Sequence, residues 1–145
     1  MNLVKDILVE KGSKVWTISP EAKVIDALKL MAERSVGAIV VMYKNQVTGI
    51  LSERDYARKV ILKGRSSADT LVKEIMTFQV YYVNPTTTAE ECLALMTQKR
   101  IRHLPVIDGE KLVGIVSIGD VVKSIISHQK VTIENLQNYI MGKYL

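Results

Sequence analysis

The stretch that decides the fold is Gly114–Asp120, which reads GIVSIGD, together with its earlier counterpart Gly49–Asp55, which reads GILSERD. Each stretch begins as a short apolar strand, reaches a serine and then opens a helix. The aspartate follows the serine by three residues and so lies in the first helical turn. This spacing is typical of a capping box. It also suits the binding of a sugar, because a carboxylate can accept hydrogen bonds from neighbouring hydroxyls.

The chain contains one unit written twice. The offset from Asp55 to Asp120 is 65 residues, and the register holds without a gap from Val15–Ile61 onto Val80–Ile126. Matches of Gly, Ser, Asp and Pro are harder to obtain by chance than matches of apolar residues. The matched pairs include Pro20/Pro85, Met31/Met96, Gly49/Gly114, Ser52/Ser117 and Asp55/Asp120. The repeat therefore describes the architecture of the chain.

Each unit predicts the order β-α-β-β-α. An extended apolar stretch comes first, at Val15–Ile18 and Val80–Val83, and a helix with apolar residues at positions i, i+3, i+4 and i+7 follows it. The apolar face of this helix is predicted to consist of Val24, Ala27, Leu28 and Met31 in the first copy, and of Ala89, Cys92, Leu93 and Met96 in the second. Two short strands and a second helix complete the unit. The predicted strands are Ala38–Met42 and Val47–Leu51 in the first copy, and Leu104–Ile107 and Leu112–Val116 in the second. A unit of about 50 residues is small for a stable domain, so we expect two copies to share one core as a pseudo-twofold pair.

The predicted fold class is therefore α/β in the broad sense, of the α+β type. We expect the first repeat to cover residues 1–66 and the second to cover residues 67–128. A C-terminal amphipathic helix is predicted over residues 129–145, because Ile133, Leu136, Ile140 and Tyr144 follow helical spacing.

Composition narrows the class of protein. The 145 residues carry a net charge of +5, from 20 Lys and Arg against 15 Asp and Glu, but the basic residues are not concentrated in one tract, so no nucleic-acid partner is expected. Cys92 is the only cysteine, which excludes an internal disulfide and favours a reducing compartment. No apolar leader follows Met1, and the longest apolar run, Ala38–Tyr43, is too short to cross a bilayer. A cytoplasmic protein without a membrane partner is expected.

The chain resembles the CBS-domain pair, also called the Bateman module. The resemblance is carried by Val36–Val41 followed by Gly49–Asp55, and again by Ile101–Ile107 followed by Gly114–Asp120. It covers nearly the whole chain apart from the C-terminal helix, and Ser52–Val60 resembles small stand-alone bacterial members in particular.

The resemblance implies two clefts between the repeats that bind adenosine-containing ligands such as AMP, ADP, ATP, NAD or S-adenosylmethionine. It implies a regulatory homodimer that is not an enzyme and has no catalytic cofactor. Such a module would signal to an unknown downstream protein through a ligand-dependent change of packing.

The resemblance also assigns residues to each cleft. The Asp120 cleft receives Ile115, Ser117, Gly119 and Asp120 from one repeat, and Lys14, Trp16, Val36, Gly37 and Ala38 from the other. The Asp55 cleft receives Ile50, Ser52, Arg54 and Asp55 from one repeat, and Tyr81, Ile101, Arg102 and His103 from the other. Glu53 would repel a phosphate in the second cleft although Arg54 would attract one, so Asp120 is the favoured nucleotide contact.

Several roles stay open at the level of sequence. Both aspartates can simply cap a helix, Trp16 can line a base or fill core, and Arg102 can meet a phosphate or remain a solvated charge. Two other functions are alternatives: a nucleotide-processing enzyme that holds a metal on Asp55 and Glu53, and a basic nucleic-acid-binding module. No metal site is expected in the favoured interpretation, because the two histidines are not spaced as a ligand pair.

Overall fold

The structure is a computed structural model that describes residues 2–141, with side chains for residues 2–130 and for Glu134. The chain forms two compact units. Unit 1 consists of Met1–Lys14 and Tyr82–Leu145, and unit 2 of Val15–Tyr81. The first residues of the chain therefore pack in the unit that holds the second sequence repeat. The packing units do not coincide with the stretches of sequence that repeat.

Unit 2 follows the predicted β-α-β-β-α order and ends with a further short helix. Its elements are β1 (Thr17–Ile18), α2 (Val24–Arg34), β2 (Ala38–Tyr43), β3 (Gln46–Ser52), α3 (Glu53–Tyr56), a π-helical segment (Ala57–Ile61) and α4 (Val72–Ile75). The sheet order is β1-β2-β3, with β1 parallel and β3 antiparallel to β2. Lys44 and Asn45 have φ values of 50° and 63°, as a tight two-residue hairpin requires.

The core of unit 2 lies between the sheet and the helices. Helix α2 buries Val24, Ala27 and Met31, which is the face predicted from their spacing. These side chains join Ile39 and Leu51, both fully buried on the strands, in one apolar cluster. Burial of this cluster holds β3 in place, and β3 ends at Ser52, three residues before Asp55.

Unit 1 has a similar arrangement of elements and begins with an additional helix, α1. Its elements are α1 (Val4–Lys11), α5 (Ala89–Lys99), β4 (His103–Asp108), β5 (Lys111–Ser117) and α6 (Ile118–Met141). Strands β4 and β5 pair antiparallel and place His103 opposite Ser117. Helix α5 buries Ala89, Cys92 and Met96, again the predicted face. The α+β class is confirmed.

The stretch Val80–Val83 differs from its counterpart in the first repeat. It makes only one bridge, from Val83 to Val106, where β1 forms a short strand. In unit 2 the Val40 N–H donates to the Trp16 carbonyl. The position equivalent to Val40 is Pro105, which has no N–H to donate. The second repeat therefore loses one hydrogen bond of the ladder.

The last helix is longer than predicted. Helix α6 runs from Ile118 to Met141 without a break, whereas the sequence predicted a repeat helix followed by a separate helix over residues 129–145. The predicted apolar face of that separate helix, formed by Ile133, Leu136, Ile140 and Tyr144, lies outside the described side chains. No membrane-spanning candidate is found among the helices of the described residues.

Candidate functional site

The candidate site of unit 1 is the junction of β5 and α6. The Ser117 N–H donates to Asp120 Oδ2 over 2.8 Å, and the Asp120 N–H donates to Ser117 Oγ over 3.1 Å. These two bonds make the capping box that the spacing predicted. The aspartate is therefore held in one orientation at the start of α6.

Lys11, the last residue of α1, completes this junction. Its Nζ donates to Asp120 Oδ2 over 2.6 Å and to the Ile115 carbonyl over 2.9 Å. The other carboxylate oxygen, Oδ1, accepts no hydrogen bond from the part of the chain that the structure describes. Asp120 can therefore cap the helix with one oxygen and still accept hydrogen bonds from a ligand with the other.

Asp55 has the same capping box but a different set of neighbours. Its Oδ2 accepts from Ser52 N over 3.0 Å and from Ser52 Oγ over 3.1 Å. Its Oδ1 accepts from Thr77 Oγ1 over 3.3 Å and lies 3.4 Å from Lys59 Nζ. Both oxygens are engaged, so a ligand or metal ion at Asp55 would have to displace an existing contact. From the sequence, the two copies were expected to differ at Glu53 and Arg54. The different contacts of the Asp55 and Asp120 carboxylates are a second difference.

Lys11 and Thr77 occupy corresponding places in the two units. In unit 2 the main chain of Thr77 exchanges two hydrogen bonds of 2.9 Å with Ile50, and its hydroxyl reaches Asp55. In unit 1 the single ammonium of Lys11 reaches both the Ile115 carbonyl and Asp120. Lys11 was not predicted as a site residue. Its only sequence signal is the lead-in pattern of Val4 and Ile7, which Val72 and Ile75 repeat before the second copy.

The charges at this junction shift two pKa values. Partial burial by itself would raise the pKa of Asp120, but the hydrogen bonds from Lys11 and Ser117 outweigh it and hold the pKa below its ordinary value. Burial, reinforced by the nearby charge of Lys11, lowers the pKa of His103. Asp120 is therefore ionised at pH 7 and His103 is neutral, so the ring of His103 offers one donor and one acceptor.

The remaining predicted residues divide between the units. Arg102 and His103 lie in unit 1 beside the start of α6, where the Ile118 N–H donates to the Arg102 carbonyl over 2.8 Å. Gly37 has the equivalent place in unit 2, where its carbonyl accepts from the Glu53 N–H over 3.0 Å. The assignments of Trp16, Val36, Gly37 and Ala38 to Asp120, and of Ile101, Arg102 and His103 to Asp55, combine residues of both units and stay predictions. Lys14 lies in the same unit as Asp120, and Tyr81 lies in the same unit as Asp55; these two assignments also stay predictions.

Two predicted residues have surroundings that bear on their roles. Trp16 packs against the core of unit 2, and the Arg34 guanidinium lies 4.1 Å from its ring centroid. One face of the ring is thus covered by a cation. Gly119, in contrast, is open. A Cβ placed on it would meet only Ser117 Oγ, at 3.6 Å, which leaves the backbone at the start of α6 accessible.

In the described part of the chain, Cys92 is not a reactive thiol and the acidic residues form no metal cluster. Cys92 is fully buried, and burial raises the pKa of its thiol to about 11. Among residues 2–130, no group of three His, Cys, Asp or Glu side chains is arranged to hold a metal ion. The chemistry available at Asp120 is hydrogen bonding and charge.

The sequence model of the CBS domain matches this chain twice, over residues 4–62 and 72–127. The chain belongs to the CBS-domain family. Within it, the mitochondrial protein CBSX3 of Arabidopsis thaliana is 39% identical, covering 97% of this chain and 73% of its own. YhcV of Bacillus subtilis is 36% identical, covering 89% of each chain. A protein with CBS domains from Burkholderia ambifaria has a TM-score of 0.85 and 51% identity, over 88% of this chain and 96% of its own.

Two other solved structures show what members of the family hold or form. The CBS-domain pair of MJ0100, at a TM-score of 0.79 and 22% identity, is a complex with 5′-methylthioadenosine and S-adenosylmethionine. It covers 88% of this chain and 98% of its own, and at that identity the likeness is one of fold. A hexameric CBS-CP12 protein from bloom-forming cyanobacteria has a TM-score of 0.76 and 34% identity, over 83% of this chain and 70% of its own. CBS-domain pairs are typically regulatory modules that bind adenosine ligands.

Proposed function

We propose that this CBS-domain pair is a regulatory module that binds an adenosine ligand, such as AMP, ATP or NAD, through Asp120. The observation that carries the proposal is that the two oxygens of the Asp120 carboxylate have different contacts. Oδ2 is fixed by Ser117 and Lys11, while Oδ1 receives nothing from the described residues. A ribose presents two adjacent hydroxyl donors, which match a fixed and ionised acceptor.

The surroundings of Asp120 support a nucleotide. The N–H groups at the start of a long helix favour anionic groups, and the open backbone at Gly119 allows close approach. Asp55 is the weaker candidate in this proposal, because Thr77 and Lys59 already contact its second oxygen.

The ligand would act by shifting a packing equilibrium. It can do so only to the extent that it binds one arrangement more tightly than the other. We further infer a homodimer in the cytoplasm that acts on a separate protein. The single cysteine supports a reducing compartment, and the dimer and the downstream protein rest on the family resemblance.

Thermal unfolding of the wild-type chain tests the proposal. AMP, ATP, NAD and S-adenosylmethionine are added separately, and the free energy of unfolding is followed as each concentration rises. A ligand at one hundred times its dissociation constant should stabilise the protein by about 2.7 kcal/mol. Stabilisation by at least one of the four is expected. Unfolding that is unaffected by all four at millimolar concentration would overturn the proposed function.

A further inference from the structure

We propose that Lys11 is a specificity-determining residue, which makes the Asp120 site prefer adenosine ligands that carry a phosphate over uncharged nucleosides. This inference rests on the proposed function and names the ligand class of the same site. The chemistry it assigns to Lys11 is a direct contact with a ligand phosphate.

The geometry leaves part of the Lys11 ammonium available. An ammonium has three N–H donors, and two of them are directed to Asp120 Oδ2 and the Ile115 carbonyl. The third has no acceptor among the described residues, and 32% of the side chain remains exposed. The two existing contacts hold Nζ in place, so a ligand oxygen would gain a charge-assisted bond without first ordering a flexible side chain.

The local balance of charge also favours an anion. The ion pair with Lys11 offsets the negative charge of Asp120, which alone would repel a phosphate. Arg102 adds a second positive charge close enough to act on His103, as Lys11 does. With His103 neutral, the charges of Lys11, Arg102 and Asp120 sum to a net positive cluster. Asp120 can therefore bind hydroxyls without excluding an anionic ligand.

Unit 2 shows that such a lysine is not a general feature of the repeat. Lys59, the cation beside Asp55, donates to the Ile75 carbonyl over 3.0 Å and lies only four residues after Asp55, in the π-helical segment that follows α3. Lys11 instead comes from a helix far away in sequence and reaches across to β5. A structural role, in which Lys11 merely fixes α1 to β5, is the alternative that an experiment must separate.

The separating experiment compares two probes that differ by one phosphate. AMP and adenosine are titrated calorimetrically into the full chain as wild type, Lys11→Met and Lys11→Gln. Lys5→Met is the control, because Lys5 is an exposed lysine on the same helix. The wild type should bind AMP about tenfold more tightly than adenosine, from one charge-assisted bond. Both Lys11 variants should lose that ratio through weaker AMP binding, with adenosine affinity within about twofold and Lys5→Met unchanged.

The outcomes distinguish the role proposed for Lys11 from the proposed function of the protein. If the Lys11 variants weaken AMP and adenosine equally, Lys11 is structural and the inference is wrong while the proposed function stands. If the Lys11 variants bind AMP and adenosine as tightly as the wild type does, the inference is likewise wrong and the proposed function stands. If neither probe binds the wild type, the inference is wrong, and the proposed function fails with it only if ATP, NAD and S-adenosylmethionine also leave thermal unfolding unaffected. Adenosine binding within about twofold of the wild type in both Lys11 variants excludes misfolding as the cause of their weaker AMP binding.

Discussion

Replacing Asp120 by alanine should weaken the binding of AMP by at least about tenfold, because the ligand loses charge-assisted hydrogen bonds of about 1.5–3 kcal/mol each. Part of that loss is offset, since Lys11 no longer has its partner at 2.6 Å and presents a freer positive charge to the phosphate. The net effect should still be a large rise in the dissociation constant, measured by calorimetry.

Asp55→Ala is the matched control for this variant. Each substitution removes the side chain of a capping box of the same type, Ser52 with Asp55 or Ser117 with Asp120. The loss of helix capping should lower stability by about 1 kcal/mol in both. Only Asp120→Ala should lose AMP. Equal weakening by the two variants, or a greater effect of Asp55→Ala, would show that the ligand does not depend on Asp120 in the manner described.

Gly49→Ala should lower the free energy of unfolding by about 1–3 kcal/mol through overpacking. A Cβ on Gly49 would lie 2.6 Å from Met76 Sδ and 3.0 Å from the Thr77 carbonyl oxygen. The methionine can move, but the carbonyl belongs to the backbone that pairs with Ile50. Urea unfolding measures the effect, and Met76→Ala in the Gly49→Ala background should restore only part of the loss.

Gly114→Ala is the comparison in the other unit. The three atoms nearest to its Cβ would all belong to the side chain of Leu8, with Cδ2 at 2.7 Å and Cδ1 at 2.8 Å. Because those methyl groups lie at the end of a flexible side chain, Leu8 can change rotamer, and Gly114→Ala should be the milder substitution. A Gly49→Ala variant as stable as the wild type, or a more damaging Gly114→Ala, would contradict this account of the two glycines.

The glycines of the two repeated stretches show how far the sequence alone could reach. Their repetition at the same place predicted the paired units and the ends of the strands. The buried faces of α2 and α5 were predicted because Val24, Ala27 and Met31, like their counterparts, recur at helical spacing. These features are local, and a period or a capping residue is enough to specify them.

The features that were missed depend on contacts between distant parts of the chain. The role of Lys11 could not be predicted, because it requires α1 to pack on β5, about a hundred residues later in the chain. The continuity of α6 was within reach, since Val121–Met141 contains neither glycine nor proline to end a helix. The loss of the strand hydrogen bond at Pro105 could also have been predicted, because the alignment of the repeats places this proline opposite Val40.

The most direct test of ligand binding at Asp120 is to locate the binding site of AMP on the protein. Backbone amide signals of the ¹⁵N-labelled full chain are followed by NMR as AMP is added. If AMP binds at Asp120, the largest shifts are expected at Lys11, Ile115 and Ser117–Val121, with smaller changes at Ser52–Tyr56. The absence of shifts, or shifts centred on Ser52–Tyr56 while Ser117–Val121 stay unmoved, would contradict binding at Asp120.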